Sequence, residues 1–185
     1  FTGTAWSFDG DFLLCNGLRD AIQGKTAFTV LGVACATTKV AHAGIFGGSS
    51  TNKEVAGAFV ADSSNGSVDA DSIRFSVSDG SSGASLLLPG RLSATPDILA
   101  FRFIGGAELA GRKRTTAWTK NTTSIPANVK ASISASWYLG MWGSYGLIGG
   151  IYLTLAWNRA LADAEVERAI RYTQSLMAGR GVTLA

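Results

Sequence analysis

Short segments in which apolar and polar residues alternate recur along most of this 185-residue chain. In one of them Ile73, Phe75 and Val77 alternate with polar residues, which gives an extended strand one apolar face for the core and one polar face for the solvent. Residues 27–35 are apolar on both faces, as expected of a strand at the centre of a sheet. The same pattern predicts further strands at 44–46, 56–61, 86–88, 99–104, 115–119, 129–136 and 151–157.

The apolar spacing changes near the end of the chain. Residues 151–157 place apolar side chains at every second position, whereas Val166, Ile170 and Thr173 repeat at the spacing of one helix face. The change predicts a last strand that runs into a short helix over about 163–177.

Hairpin-type turn signals separate the predicted strands. They are Asp9-Gly10, Asn16-Gly17, Asn65-Gly66 and Asp79-Gly80. Glycine is also frequent, at 23 residues against 3 prolines, which suits a domain with many turns. About ten short strands and one terminal helix predict an all-β, antiparallel two-sheet sandwich, with residues 1–185 forming a single domain. A β-barrel capped by a helix is the alternative architecture.

Two segments carry a resemblance to known proteins. Residues 157–165 read Trp-Asn-Arg-Ala-Leu-Ala-Asp-Ala-Glu, which resembles the closing motif of the laminin-G-like and concanavalin A-like sandwich families. Residues 6–13 resemble the opening motif of laminin-G-like modules, and Phe28-Thr29-Val30 resembles the start of their next long strand. The resemblance implies a jelly-roll sandwich. It implies little about function, because lectins, adhesion modules, glycosidases, lyases and virion parts share this fold.

The closing motif differs from the family at one position. The families usually have serine where this chain has Ala162, and alanine cannot accept a hydrogen bond from the first-turn amides of the helix. Asp163 and Glu165 still place negative charge at the positive end of the helix.

Composition and charge exclude some function classes. The net charge is +3, and the only tight basic cluster, Arg112-Lys113-Arg114, has no interleaved aromatic residues. This pattern indicates a solvated hairpin turn rather than a nucleic-acid groove. No apolar run reaches the roughly 20 residues that a membrane span needs. For Cys15 and Cys35 two packed free thiols are favoured over a disulfide.

The sequence shows no catalytic pattern. Glycosidases of the similar families place paired carboxylates on one strand, because an acid and a nucleophile must flank one bond, and this chain has no such run. The single histidine, His42, has no companion residues that complete a lyase set. A polysaccharide hydrolase or lyase is therefore the least favoured function.

One oxygen-rich cluster is a weak candidate for a metal site. Asp62, Asn65, Asp69 and Asp71 lie in a loop-like stretch, but their spacing does not match the helix-loop-helix calcium pattern. A polar surface loop is favoured, with a structural calcium ion as the alternative, and no cofactor is predicted.

Residues 137–146 form the segment richest in aromatic residues. Trp142 and Tyr145, with Ser144 between them, are the candidate carbohydrate-binding residues, because flat rings pack on sugar rings and hydroxyl groups bond sugar hydroxyls. The competing interpretation, that the rings cap the core at one end of the sandwich, stays open. The other tryptophans in strand-like patterns are predicted to be core or strand-pair residues: Trp6, Trp118 and Trp157.

These observations predict a non-catalytic recognition module that binds a glycan or a cell surface, on an extracellular bacterial protein or a phage virion. The alternative is a structural virion module, such as a capsid decoration or tail-fibre domain, that contacts neighbouring proteins. The predicted partners are a surface glycan or a neighbouring surface protein, and a homo-oligomer stays open.

Overall fold

Strands dominate the structure. The computed structural model describes residues 6–9, 13–38, 43–48, 57–60, 71–130, 137–142 and 145–185. Within these ranges the strands are β1 (Trp6–Asp9), β2 (Leu13–Leu14), β3 (Ala27–Ala36), β4 (Ala43–Gly48), β5 (Gly57–Val60), β6 (Ser72–Ser78), β7 (Gly83–Pro89), β8 (Asp97–Ile104), β9 (Glu108–Lys113), β10 (Thr119–Asn121), β11 (Trp137–Leu139), β12 (Met141–Trp142), β13 (Tyr145–Gly146) and β14 (Ile148–Trp157). The helices are α1 (Asn16–Ile22) and α2 (Asp163–Gly179).

The strands form two six-stranded sheets. Sheet A has the order β1-β14-β3-β8-β9-β10, and sheet B has the order β2-β11-β4-β5-β6-β7. Neighbouring strands in both sheets are antiparallel, and β12 and β13 form a separate two-stranded hairpin. The predicted antiparallel two-sheet sandwich with a C-terminal helix is confirmed.

The inner faces of the two sheets enclose an aromatic core. Phe101 of sheet A stacks on Phe75 of sheet B with ring centroids 4.6 Å apart, and Phe46 approaches Phe101 edge-on at 6.0 Å. Trp137 is fully buried in the same core. Burying such large rings at the sheet interface is the main force that holds the two sheets together.

A second apolar cluster lies on the outer face of sheet A. Val166, Ile170 and Met177 of α2 pack against residues of β3 and β8: Leu31, Val33, Ile98 and Ala100. Sheet A is therefore buried on both faces. This explains why residues 27–35 are apolar throughout, since their two faces line two different clusters.

Some predicted elements were wrong. Asn16 and Gly17, predicted as a hairpin turn, begin α1, because this helix buries Leu18 and Ile22, four residues apart, in the core. Of the strand predicted at 115–119, only Thr119 lies in a strand, as the first residue of β10, whereas residues 115–118 form a connection in which the Thr116 backbone N–H donates to the Lys113 carbonyl over 3.3 Å.

One more predicted strand is wrong where it begins, and a pair of glycines lies inside a strand. Val129 lies in a bend rather than a strand, and residues 131–136 of the same predicted strand lie outside the described residues. Gly149 and Gly150 lie inside β14. A Cβ at Gly149 would stand 2.1 Å from the Cys35 carbonyl oxygen of β3, so glycine is needed here for close approach of the two strands.

Two other observations bear on the sequence predictions. Cys15 and Cys35 are both free thiols, as predicted. Among the described residues, neither helix is long and apolar enough to cross a membrane.

Candidate functional site

The outer faces of the two sheets differ in what covers them. The helix α2 covers the outer face of sheet A, whereas neither described helix packs on the outer face of sheet B. On β6 and β7 the residues that alternate with the core are partly or fully exposed. We call the following set the sheet B face: Arg74, Ser76, Ser85, Leu87 and Tyr138.

Arg74 lies near the centre of β6 on the sheet B face. It pairs with Leu87 of β7 on one side and with Phe59 of β5 on the other. Its Nε atom is buried and has no hydrogen-bond partner. A buried guanidinium donor without an acceptor is costly, and native proteins rarely keep one without a reason. The arrangement suits an anionic acceptor that comes from outside the chain.

Hydroxyl groups lie beside Arg74, and an aromatic residue lies three strands away on the same sheet. The Ser76 and Ser85 hydroxyls are 2.9 Å apart, and the Asn121 side-chain amide donates to the Ser85 carbonyl over 2.9 Å. Tyr138 lies between two inward-facing residues of β11 and is half-buried. Between Tyr138 and Ser76 the sheet contains Gly47, which pairs with Tyr138, and Gly57, which pairs with Ser76. Two residues without side chains therefore separate the aromatic side of the face from its cationic side.

The hairpin predicted to bind carbohydrate is anchored beside sheet B. Trp142 of β12 pairs with Tyr145 of β13. At its base the Gly140 N–H donates to the Ile45 carbonyl of β4 over 3.0 Å, and the Leu147 N–H donates to the Gly140 carbonyl over 2.7 Å. Ser144 and the side chains of Trp142 and Tyr145 lie outside the described residues. Their role in binding stays a prediction.

The oxygen-rich cluster is described only at its end. Asp62, Asn65 and Asp69 lie outside the described residues, as does His42. Asp71 is exposed, and its carboxylate accepts the Arg91 backbone N–H over 2.9 Å, which fastens the start of β6 to the end of β7. In the described ranges no three His, Cys, Asp or Glu side chains converge as a metal site would require. The calcium alternative stays untested.

The tryptophans predicted as core or strand-pair residues have different environments. Trp6 pairs with Ile151 in the ladder, but its side chain is 45% exposed, because β1 is the edge strand of sheet A. Trp157 pairs with Thr29 and packs in the cluster under α2. Trp118 lies between β9 and β10, outside any strand, and faces an arginine.

A cleft of about 570 Å³ opens beside Trp6 at the edge of sheet A. Its walls include Cys15 and Leu18 near α1, Thr154 of β14, and Arg180 at the end of α2. The Thr154 hydroxyl is buried without a hydrogen-bond partner. The cleft is a second candidate site, but its lining offers one cation and mostly aliphatic groups.

The arginine on the outer face of sheet A is, by contrast, fully engaged. Arg102 donates to the Leu161 carbonyl at 3.0 Å, to Asp163 at 2.6 Å and to Glu108 at 2.8 and 3.0 Å. Its guanidinium also lies 4.6 Å from the ring centroid of Trp118. These contacts fasten the N-terminus of α2 to β8 and β9.

Three carboxylates near the start of α2 have pKa values below their usual range. The hydrogen bond from Arg102 lowers the pKa of Asp163. Burial alone would raise the pKa of Glu108, but hydrogen bonds from Lys120 and Arg102 outweigh it and lower the value. Hydrogen bonds from Arg159 and from the Ala162 N–H lower the pKa of Glu165 to about 2. The Glu165 half of a capping box is thus present, while Ala162 supplies no side-chain acceptor.

Known proteins resemble this chain in structure but not in sequence. No family model matches the chain, and no curated protein matches it in sequence. The CBM40 carbohydrate-binding module of the Ruminococcus gnavus IT-sialidase, bound to α2,3 sialyllactose, superposes with a TM-score of 0.67. The match covers 90% of this chain and 95% of that module at 11% identity. The fold is a concanavalin A-like β-sandwich.

Other solved structures agree with this fold. The K499G mutant of the NanB sialidase from Streptococcus pneumoniae matches with a TM-score of 0.69 and 17% identity over 90% of this chain. This chain spans only 27% of the length of the NanB chain. A heptameric SAP-like pentraxin from Limulus polyphemus matches with a TM-score of 0.56 and 13% identity, over 80% of this chain and 72% of the pentraxin.

Sequence reasoning missed Arg74 as a candidate site residue. The alternation placed Arg74 correctly on the wet face of its strand. An arginine with serine two residues later is, however, also what an ordinary solvated strand contains. The Nε donor of Arg74 is buried without an acceptor in a strand flanked by β5 and β7, and this pairing is not readable from the sequence.

Proposed function

We propose that this protein is a non-catalytic glycan-recognition module that binds an acidic sugar on the sheet B face. The observation that carries the proposal is the buried Arg74 Nε without an acceptor, on the sheet face that neither described helix covers. A guanidinium in this setting favours a carboxylate, because two parallel N–H groups match its two oxygens.

The chemistry of the neighbouring residues supports a sugar ligand. Sugar sites combine a ring face with a few well-placed polar groups, and the sheet B face offers Tyr138 together with the hydroxyls of Ser76 and Ser85. The CBM40 module with the same fold was solved with sialyllactose, a sugar that carries a carboxylate. An acidic glycan therefore suits both the site chemistry and the structural similarity.

The hairpin of β12 and β13 forms the aromatic rim of the proposed site. Its base is hydrogen-bonded to β4, so Trp142 and Tyr145 belong to a loop attached to sheet B. In the proposal their rings stack on the ligand and Ser144 bonds a hydroxyl. Trp142→Ala then weakens binding several-fold and leaves the melting temperature nearly unchanged. If the ring belongs to the core, the same change lowers stability by roughly 3–5 kcal/mol.

The proposed setting is an extracellular bacterial protein, in line with the sialidase modules that share the fold. No described feature favours a structural virion module over a glycan-binding one, so the phage setting stays a prediction. The sequence contains no strand-like run of paired carboxylates, which supports a binding role rather than hydrolysis.

The decisive experiment compares Arg74→Gln with Arg171→Gln in binding to sialyllactose and other acidic oligosaccharides by isothermal titration calorimetry. Arg171 is exposed on α2, which packs on the other sheet, so its variant controls for the loss of one positive charge. We expect Arg74→Gln to weaken binding about tenfold or more, since a charged hydrogen bond contributes about 1.5–3 kcal/mol. Equal affinity of the two variants, or no binding of any acidic sugar by the unmodified protein, would refute the proposal.

A further inference from the structure

The cleft of about 570 Å³ beside Trp6 lies where residues of both sheets and of α1 meet. Trp6 pairs with Ile151, and no described strand pairs with β14 beyond that point on this side. Leu18 of α1 and Leu139 of β11 line the cleft together with the uncovered part of β14. Its volume is within the range of about 300–1,000 Å³ that is usual for small-molecule sites.

The walls of the cleft are mostly apolar. The aliphatic residues that line it are Leu18, Ala21, Leu139, Ile151, Leu153 and Ala156. Leu18 and Ile151 are buried parts of the core between the sheets, so this wall is fixed by the fold. The indole of Trp6 is 45% exposed beside these residues. A ligand with an apolar body can therefore bury its surface here.

One hydroxyl group in the lining has no partner. Thr154 lies on the same face of β14 as Ala156, which packs against the core between the sheets. The Thr154 hydroxyl oxygen is buried and makes no hydrogen bond. Its ladder partner is Gly32, where a Cβ would meet only the Leu153 carbonyl oxygen, 3.8 Å away. No cross-strand side chain fills the space beside Thr154, so a ligand in the cleft can supply the missing partner.

One cation also lines the cleft. Arg180 directly follows α2 and is exposed, and within the described part of the chain its guanidinium is in none of the ion pairs. Tyr152, another polar residue of the lining, is hydrogen-bonded to Cys35 and so is already used by the chain. An apolar cleft with an unpaired guanidinium complements a ligand that carries a carboxylate.

We propose that this cleft binds a small amphiphile with an apolar chain, a carboxylate that pairs with Arg180 and a hydroxyl group that hydrogen-bonds Thr154. A sugar does not suit these walls, because most of its hydroxyls would lose water without gaining a partner. An extended peptide added to the edge of β14 would use backbone groups and would leave the inward-facing Thr154 hydroxyl unsatisfied. None of the sheet B face residues lines the cleft, so this site does not rest on the proposed function.

The first test measures binding of ω-hydroxyoctanoate, octanoate and octanol by isothermal titration calorimetry, below micelle-forming concentrations. Thr154→Val should weaken ω-hydroxyoctanoate about fivefold and leave octanoate unchanged, because only the former has a hydroxyl group to lose its partner. Arg180→Gln should weaken both carboxylates about threefold and leave octanol unchanged, since an exposed ion pair is weak. Arg171→Gln, which removes an exposed charge elsewhere on the protein, should change none of the three affinities.

Two results of this test would overturn the proposal. One is the absence of ω-hydroxyoctanoate binding by the unmodified protein. The other is an equal loss of octanoate and ω-hydroxyoctanoate binding in Thr154→Val, because a merely structural role of Thr154 affects both ligands alike.

The second test narrows the cleft itself. Gly17 lines the cleft and is exposed, and a Cβ there meets no atom within 4 Å. Gly17→Leu should therefore fold and weaken every ligand several-fold. Gly179→Leu is the matched control, because Gly179 has the same open surroundings at the end of α2 and does not line the cleft. Equal binding by the two variants would place the ligand elsewhere and overturn the proposal.

The last test asks whether protein fills the cleft instead. Residues 1–5 precede Trp6 and lie outside the described residues. Binding that persists when they are removed supports the proposal, whereas binding that appears only after their removal makes them the occupant and overturns it. A dimer that ω-hydroxyoctanoate dissociates in analytical ultracentrifugation would identify a second copy as the occupant and would also overturn it.

Discussion

The outer faces of the two sheets each carry an arginine on a strand, but the two arginines differ in their hydrogen-bond partners. On sheet A, Arg102 is 7% exposed and every side of its guanidinium meets an acceptor or a ring. On sheet B, Arg74 keeps a buried donor without an acceptor. The difference comes from α2 and the segment just before it, which bring Asp163 and the Leu161 carbonyl to Arg102 and no acceptor to the Nε atom of Arg74.

The comparison separates structural from functional use of the same residue type. A buried arginine that the chain itself satisfies stabilises the contact between helix and sheet. A half-buried arginine that keeps one buried donor without an acceptor costs stability, and a ligand-binding role would account for that cost. Substitutions at matched positions on the two faces test this division directly.

The largest effect should come from Arg102. Arg102→Met leaves Asp163 without its partner and Glu108 with Lys120 alone, so we expect the free energy of unfolding to fall by about 4 kcal/mol. Arg74→Met removes a donor that has no acceptor, so it should leave the free energy of unfolding unchanged or raise it by about 1 kcal/mol. Urea denaturation of both variants measures the difference, and equal losses would abolish the contrast between the two faces.

The apolar contacts under α2 should give the next largest effect. Ile170 is buried against sheet A, and Ile170→Ala should lower the free energy of unfolding by about 3 kcal/mol through lost burial and a cavity. Leu87 on the sheet B face is 45% exposed, and Leu87→Ala should cost less than about 0.5 kcal/mol. A large loss at Leu87 would mean that a segment of the chain covers sheet B as α2 covers sheet A.

The first turn of α2 can be improved by one substitution. Ala162 has the extended backbone of an N-cap residue, and its N–H already donates to Glu165. Ala162→Ser completes the capping box and should raise the free energy of unfolding by about 1 kcal/mol. Ala164→Ser, inside the same turn, is the control and should lower stability by about 0.5 kcal/mol. A gain of equal size in the control would show that capping is not the cause.

Lowering the pH should change the stability least, because most of the carboxylates that the arginines contact are near the solvent. The pKa values of Asp163, Glu108 and Glu165 are lowered in the fold, so their stabilisation is complete at neutral pH and is lost as the pH falls. We expect the melting temperature to decline from about pH 4.5 toward about pH 2, the pKa of Glu165. The decline should be shallower in Arg102→Met, and an identical decline would exclude Arg102 as its cause.

Parts of the fold were predictable because local patterns carry them. The alternation of Ile73, Phe75 and Val77 placed β6 with its correct inward face, and the double-sided apolar run at 27–35 placed β3 at the centre of a sheet. The change of spacing after Trp157 placed α2 within two residues of its observed end. Predictions failed where the same residues are compatible with two local structures. Asn16-Gly17 can form a turn or begin a helix, and the core contacts of Leu18 and Ile22 favour the helix.

The sequence by itself determined most of the strands and the closing helix and favoured the two-sheet architecture, since burial periodicity and turn residues are local properties of the chain. Only the tertiary structure decided which sheet face α2 covers and which arginines remain without acceptors. Arg74, Arg91, Arg102 and Arg114 cannot be told apart in the sequence. Their differences arise from neighbours brought close by strand pairing and helix docking, and satisfaction of a hydrogen bond depends on those neighbours alone.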